Sequence, residues 1–129
     1  MVALPLISGC NTEKQDLAAQ VDAYESNVLE LSEALCRCPE TFGFATTDEC
    51  LMNQIDVDSA CILDALDGNE AVGAEFYSCI NAKLNDYIEC LDGLACEPDW
   101  NVACMETYLD AVIEDCPHTP EEIIEMCIL

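Results

Sequence analysis

The chain has 129 residues, 52% of them hydrophobic, and sets 27 acidic side chains against 3 basic ones, for a formal net charge of −24. A single domain of that size and apolar content buries a real core, which excludes a disordered tail. The sign of the charge excludes nucleic-acid recognition and electrostatic docking on anionic lipid, since both need a basic face.

Val2 to Ile7 is short and apolar, with Pro5 inside it, and leads into Ile7-Ser8-Gly9-Cys10. This stretch resembles the end of a bacterial lipoprotein signal peptide and its lipobox, in which small residues precede the cysteine that is acylated and becomes the mature N-terminus. The resemblance covers residues 1–10. It departs from that family in having no basic segment ahead of the apolar run, so the start codon lies upstream or the chain has been trimmed. The resemblance implies that residues 1–9 are a signal remnant and that lipid is attached at Cys10. The membrane is then a partner through that anchor, and the protein sits in the cell envelope, at the outer membrane or cell surface. Asn11 stands where an Asp would favour inner-membrane retention, which leans toward the outer membrane. The competing reading is an ordinary start of a buried element that happens to end in Cys. The cysteine count favours the lipid: there are eleven, and removing Cys10 leaves an even ten.

Residues 10–129 read as one cysteine-rich domain, helical throughout. A first helix is expected from Thr12 to about Arg37, with Leu17, Val21, Tyr24, Val28, Leu31 and Leu35 stepping by four and three into Cys38. That is a seam for one partner surface, with Asp16, Asp22, Glu25, Glu30 and Glu33 opposite. Pro39 and Gly43 end it. A second helix opens at Thr46 or Thr47, with Glu49 completing a capping box, and runs to Leu66. Asp67-Gly68-Asn69 is a turn, and a third helix covers Glu70 to Leu91 before Gly93. A fourth runs from Pro98 or Asp99 to Asp115, with Val102, Met105, Leu109, Val112 and Cys116 as its apolar face. Thr119-Pro120-Glu121-Glu122 starts a short fifth. The expected fold is all-α, a disulfide-stapled bundle of four to five helices.

Cysteine at this density fits an oxidising compartment, and no C-x-x-C is present. Cys50 and Cys61 are eleven apart, as are Cys79 and Cys90, and eleven helical residues span about 16 Å, so each pair shares a face. The two pairs are symmetric about residue 70. Two antiparallel helices folded there bring Cys61 to Cys79 and Cys50 to Cys90. This pattern resembles the coiled-coil-helix-coiled-coil-helix proteins, whose twin cysteine pairs join two antiparallel helices, although that family mostly has nine intervening residues and this chain has ten. The resemblance implies geometry only. Of the remaining six cysteines, Cys104 is expected to take Cys127, leaving Cys36 and Cys38 for Cys96 and Cys116. Spacing alone does not determine these connectivities. A faint repeat aligns Cys38-Pro39-Glu40-Thr41-Phe42 with Cys104-Met105-Glu106-Thr107-Tyr108, then Cys50 with Cys116 and Cys61 with Cys127. Pro39 and Gly43 in the first copy imply that the two differ in conformation.

No catalytic constellation stands out. His118 is the one histidine, in a turn and without a serine motif to serve. Asp56-Val57-Asp58-Ser59 begins like a calcium loop, but Ala60 and Cys61 end the pattern. Cys36-Arg37-Cys38 has a cationic neighbour that lowers a thiol pKa, yet two separate structural bridges use these residues more simply. The acidic residues read as a solvated face. Trp100, Phe42, Phe44 and the tyrosines either line a pocket or, by their spacing, pack a core. No enzyme, cofactor or metal is implied. The expected role is binding or structural, with an unidentified protein partner. The alternative is a carrier holding a small apolar ligand between helices.

Overall fold

The computed structural model of the protein describes residues 3–54, 56–117 and 127, with side chains from residue 12 onward. In chain order the elements are α1 (Ala3–Leu35), a 3-10 turn (Pro39–Phe42), α2 (Thr47–Met52), α3 (Ser59–Ala65), α4 (Glu70–Leu91) and α5 (Val102–Asp115), with no strand among the described residues. Five disulfides staple them. The all-α, disulfide-stapled bundle read from the sequence is the fold. The fifth helix expected from Thr119 lies outside the described residues, as does His118.

Local chemistry explains most element ends. Thr46 Oγ1 accepts from the Glu49 backbone N–H at 3.1 Å, and Glu49 reaches back to the Ala45 N–H at 3.3 Å, one residue beyond the N-cap amide that a standard capping box uses. Gly68 sits at φ +86° and turns the chain into α4. The Glu70 carboxylate then accepts from the Gly68 N–H at 2.9 Å, and that bond, with its own N–H and then Lys14 nearby, holds its pKa below the ordinary value. Two boundaries differ from expectation. α1 starts at Ala3, well before Thr12, and the helix expected over 46–66 is two short helices. Asn53 caps α2 at its C-terminus and hands its side-chain N–H to the Glu49 carbonyl at 2.8 Å, while Asp58 caps α3 by accepting from the Cys61 N–H at 3.1 Å. Short polar side chains compete with the helical ladder in this way, and here they win.

α1 and α4 form the central pair. Tyr24 meets Tyr77 with ring centroids 5.1 Å apart, Asn27 donates to Asn81, and Arg37 donates to the Leu91 carbonyl. The partners advance together along both helices, so the two run parallel, offset by 54 residues at Asn27–Asn81 and Arg37–Leu91. A parallel pair needs a return path, and residues 36–69 supply it: α3 lies back along α1, with Ser59 donating to Glu25 at 2.7 Å and Leu66 packed with Leu17 and Val21. The seam read from the sequence is the one used. Leu17 and Val21 are fully buried, and Tyr24, Val28, Leu31 and Leu35 pack against the core clusters.

One polar cluster crosses this interface. Asn81, buried, accepts from Asn27 at 3.1 Å and donates to the Gln20 carbonyl and side chain at 2.9 and 3.1 Å. A satisfied amide at a single level fixes register, because any slip leaves it unpaired in an apolar seam. Asn81→Ala is expected to lower unfolding free energy by about 1–3 kcal/mol in guanidinium titrations. The double variant N27L/N81L should recover most of that loss, and a single variant as stable as the parent would remove Asn81 from this role.

The bridges are Cys36–Cys50, Cys38–Cys96, Cys61–Cys127, Cys79–Cys116 and Cys90–Cys104, with Cα separations of 5.5–5.9 Å. These replace all five expected pairings: Cys50–Cys90, Cys61–Cys79, Cys104–Cys127, Cys36–Cys96 and Cys38–Cys116. The break at 53–58 removes the straight helix on which the first two depended. The twin-bridged antiparallel hairpin does occur, one helix further on: α4 offers Cys79 and Cys90, and α5 answers with Cys116 and Cys104. Lys83 on α4 and Asp115 on α5 add an ion pair at 2.9 Å, which raises the Lys83 pKa. The repeat's two copies differ as their prolines and glycines imply, one a 3-10 turn and the other α5.

Candidate functional site

The twin bridges also decide which side of α5 faces inward. Cys104 and Cys116 are buried, and Tyr108 and Val112 pack with them against α4 and α1. These residues step by four and form one ridge. The sequence suggested a different inward face, with Met105 and Leu109 in it, and the structure turns both outward. Met105, Leu109 and Ile113 are 38%, 47% and 68% exposed. They also step by four, so they form a second apolar ridge, on the solvent side. Next to it run Glu106, Asp110 and Glu114, all exposed. Among the described residues none of these three carboxylates has an ion-pair partner.

The three Lys and Arg side chains lie with other groups. Lys83 is bound to Asp115. Arg37 donates to the carbonyls of Leu91 and Leu94 at 2.9 and 3.0 Å, capping the end of α4, and its guanidinium lies 5.4 Å from the Trp100 ring centre. Lys14 lies near Glu70. The α5 ridge is therefore apolar and acid-flanked, and no described cation is ion-paired to the flanking carboxylates.

Most of the large apolar side chains described are packed together in the core clusters. Trp100 is buried, and its indole N–H donates to Thr41 Oγ1 at 3.0 Å, while Phe42 is exposed. Tyr24, Tyr77, Tyr87 and Tyr108 pack in the core clusters. Between α4 and α5 a cavity of about 90 Å³ is lined by Lys83, Asp86, Tyr87 and Tyr108, among others. Ligand pockets run to roughly 300–1,000 Å³, so this one suits a few waters at most. Two larger grooves, of about 530 and 470 Å³, lie open to solvent. Carboxylates dominate their charged walls: Glu13, Asp16 and Glu75 in one, Glu30, Glu33 and Glu89 in the other.

Burial has a titration consequence. It raises the pKa of all four tyrosines, with Tyr77 and Tyr108 pushed up to about 12. A phenol whose folded pKa lies above its unfolded value of about 10 binds its proton more tightly when folded, so the stability it contributes is complete below pH 10 and lost as pH rises toward 12. Tyrosinate absorbance of the native protein should lag that of a denatured control above pH 10 and rise together with loss of helix. Coincident native and denatured titrations would place the phenols in water.

Several of the residues singled out for chemistry are engaged structurally. Cys36 and Cys38 bond to separate partners, Cys50 and Cys96, and Arg37 caps carbonyls between them. Asp58 is a helix cap and Ser59 a donor to Glu25. The five bridges use ten of the eleven cysteines, and the eleventh is Cys10. Its backbone belongs to α1, and its side chain lies outside the described part. The exposed ridge on α5 was missed by sequence reasoning. Its signal was present, because Cys104, Tyr108, Val112 and Cys116 also step by four and carry the two bridges. No protein-family model, curated protein or solved structure matches the chain.

Proposed function

We propose that this chain is a lipid-anchored, acidic interaction module of the bacterial cell envelope, held to the outer membrane or cell surface through Cys10. Its bundle binds a protein partner with α5. The observation that carries the binding role is the exposed apolar ridge Met105–Leu109–Ile113. A soluble surface rarely lines up large apolar side chains without a use for them. The carrier reading needs an apolar cavity of ligand size, and the cavity between α4 and α5, at about 90 Å³, is too small for that. Catalysis has no support from the side chains near the ridge.

The anchor is supported by Ile7-Ser8-Gly9-Cys10 and by the pairing of the other ten cysteines. Two or more acyl chains, at about 0.8 kcal/mol per buried methylene, hold a protein stably to a bilayer. In cells expressing the protein from its native start, Cys10→Ala is expected to abolish incorporation of an alkyne-tagged fatty acid and to move the protein from the membrane to the soluble fraction. Unchanged labelling would defeat the anchor. The docking face is tested separately, by photo-crosslinking from α5 in the same cells: L109S/I113S should remove the adduct.

A further inference from the structure

We infer that the partner segment docked on α5 is a cationic amphipathic helix, with apolar residues on one face and Lys or Arg along the flank that meets Glu106, Asp110 and Glu114. This rests on the reading above that α5 is the docking face, and it names the chemistry of what docks there.

The shape of the ridge comes first. Met105, Leu109 and Ile113 lie on one i, i+4, i+8 row, which rises about 12 Å along the helix. Such a row is a ridge with a groove beside it, the surface that the ridges of a second helix fill. Met105 adds a side chain that adapts to its partner's shape.

Charge then selects among occupants. Glu106, Asp110 and Glu114 form their own row of like charges at i, i+4 spacing, and like pairs at that spacing destabilise an isolated helix. With Lys83 bound to Asp115 and Arg37 to backbone carbonyls, no ion pair to the row is made among the described residues. An occupant carrying cations along that flank removes the repulsion at the moment it covers the apolar ridge. A second copy of this chain brings another acidic row and a net charge of −24 to the same place. A bilayer with anionic headgroups is repelled for the same reason. Attraction between opposite rows also steers encounter and fixes which way round the partner helix lies.

The test uses the full oxidised chain and two fluorescein-labelled synthetic helices. Both carry leucines at i, i+3, i+4 and i+7, and they differ in having lysines or glutamates along one flank. Anisotropy is read at roughly physiological ionic strength, where the screening length is about 8 Å and remote charges count for little. The lysine peptide should bind, and the glutamate peptide should bind at least ten-fold more weakly. E106K/D110K should weaken the lysine peptide by about ten-fold, and L109S/I113S by a similar factor. E30K/E33K makes the same change in net charge on the α1–α4 groove and should weaken it less than two-fold. All of the substituted side chains are exposed, and circular dichroism checks that each variant is folded.

Equal losses from E30K/E33K and E106K/D110K would mean diffuse attraction to an acidic body, and the inference fails. Equal binding of the two peptides overturns the charge assignment while leaving α5 as a docking face. Sedimentation showing self-association abolished by L109S/I113S would make a second copy the occupant, and binding of neutral phosphatidylcholine vesicles lost in the same variant would make it a membrane. Either result overturns the inference. If instead the in-cell adduct survives L109S/I113S, the docking reading itself falls, whatever the peptides do.

Discussion

Full reduction of the protein is expected to unfold it. Bridges closing loops of 14 residues, as Cys36–Cys50 and Cys90–Cys104 do, contribute about 3 kcal/mol each in the chain-entropy account, and those closing 37, 58 and 66 residues about 4. Together they exceed the roughly 5–15 kcal/mol by which domains of this size are stable. The body they hold shut also repels itself, with 27 carboxylates against 3 cations. A phosphine reductant should abolish the cooperative thermal transition seen by circular dichroism and collapse amide dispersion in NMR spectra. Added salt should restore part of the helix by screening the repulsion. The order of opening is set by access of the attacking thiol to sulfur. Cys96 and Cys90 are exposed, whereas Cys36 and Cys50 are fully buried. In a timed titration with a thiol, alkylation and mass mapping should therefore find Cys38–Cys96 and Cys90–Cys104 opened first and Cys36–Cys50 last. A cooperative melt that survives complete reduction would show that packing alone suffices.

The sequence made α4 legible to the residue, because the Asp67-Gly68-Asn69 turn and Gly93 mark both ends and a regular pattern lies between. The α1 seam was legible for the same reason: four-three spacing is sustained from Leu17 to Cys38. The bridge partners were not. Symmetry about residue 70 is a property of numbering, and it becomes geometry only if the chain between Cys50 and Cys61 is a straight helix. Asn53 and Asp58 each trade a helical hydrogen bond for a cap, so that segment bends and Cys50 is left at the foot of α1 beside Cys36. The parallel pairing of α1 with α4 was hidden for a different reason. It is set by contacts between residues about 54 apart, such as Asn27 with Asn81, and no local pattern encodes such a separation. The α5 face lay between these cases. Two four-step rows competed for the interior, and the row with two bonded cysteines and an aromatic ring prevailed over the row with Met105 and Leu109.

Gly73 supplies the second large effect, through a reversal of sign. It is buried where α4 passes the end of α3, and a Cβ built there would lie 2.7 Å from Leu66 Cδ1 and 3.0 Å from Leu17 Cδ1. Leu66 is completely buried and Leu17 nearly so, which leaves neither methyl an easy retreat. In the parent protein, Gly73→Ala should therefore destabilise: overpacking costs about 1–3 kcal/mol, and the gain of about 1 kcal/mol in helix propensity offsets only part of it. Leu66→Ala opens a cavity under a residue that has no side chain to fill it, so the loss should fall in the upper part of the usual range of about 2–5 kcal/mol. Once Leu66 is truncated the clash disappears and the added methyl enters vacated space. In the Leu66→Ala background Gly73→Ala should then stabilise by about 1 kcal/mol or more. Guanidinium midpoints of the four oxidised proteins measure this cycle directly. A coupling of about 1–3 kcal/mol is the signature of two groups sharing one volume, whereas additive effects would mean that Leu66 and Gly73 are not in contact. The reversal also separates packing from backbone entropy, since a purely conformational role for Gly73 predicts the same effect of Ala in both backgrounds.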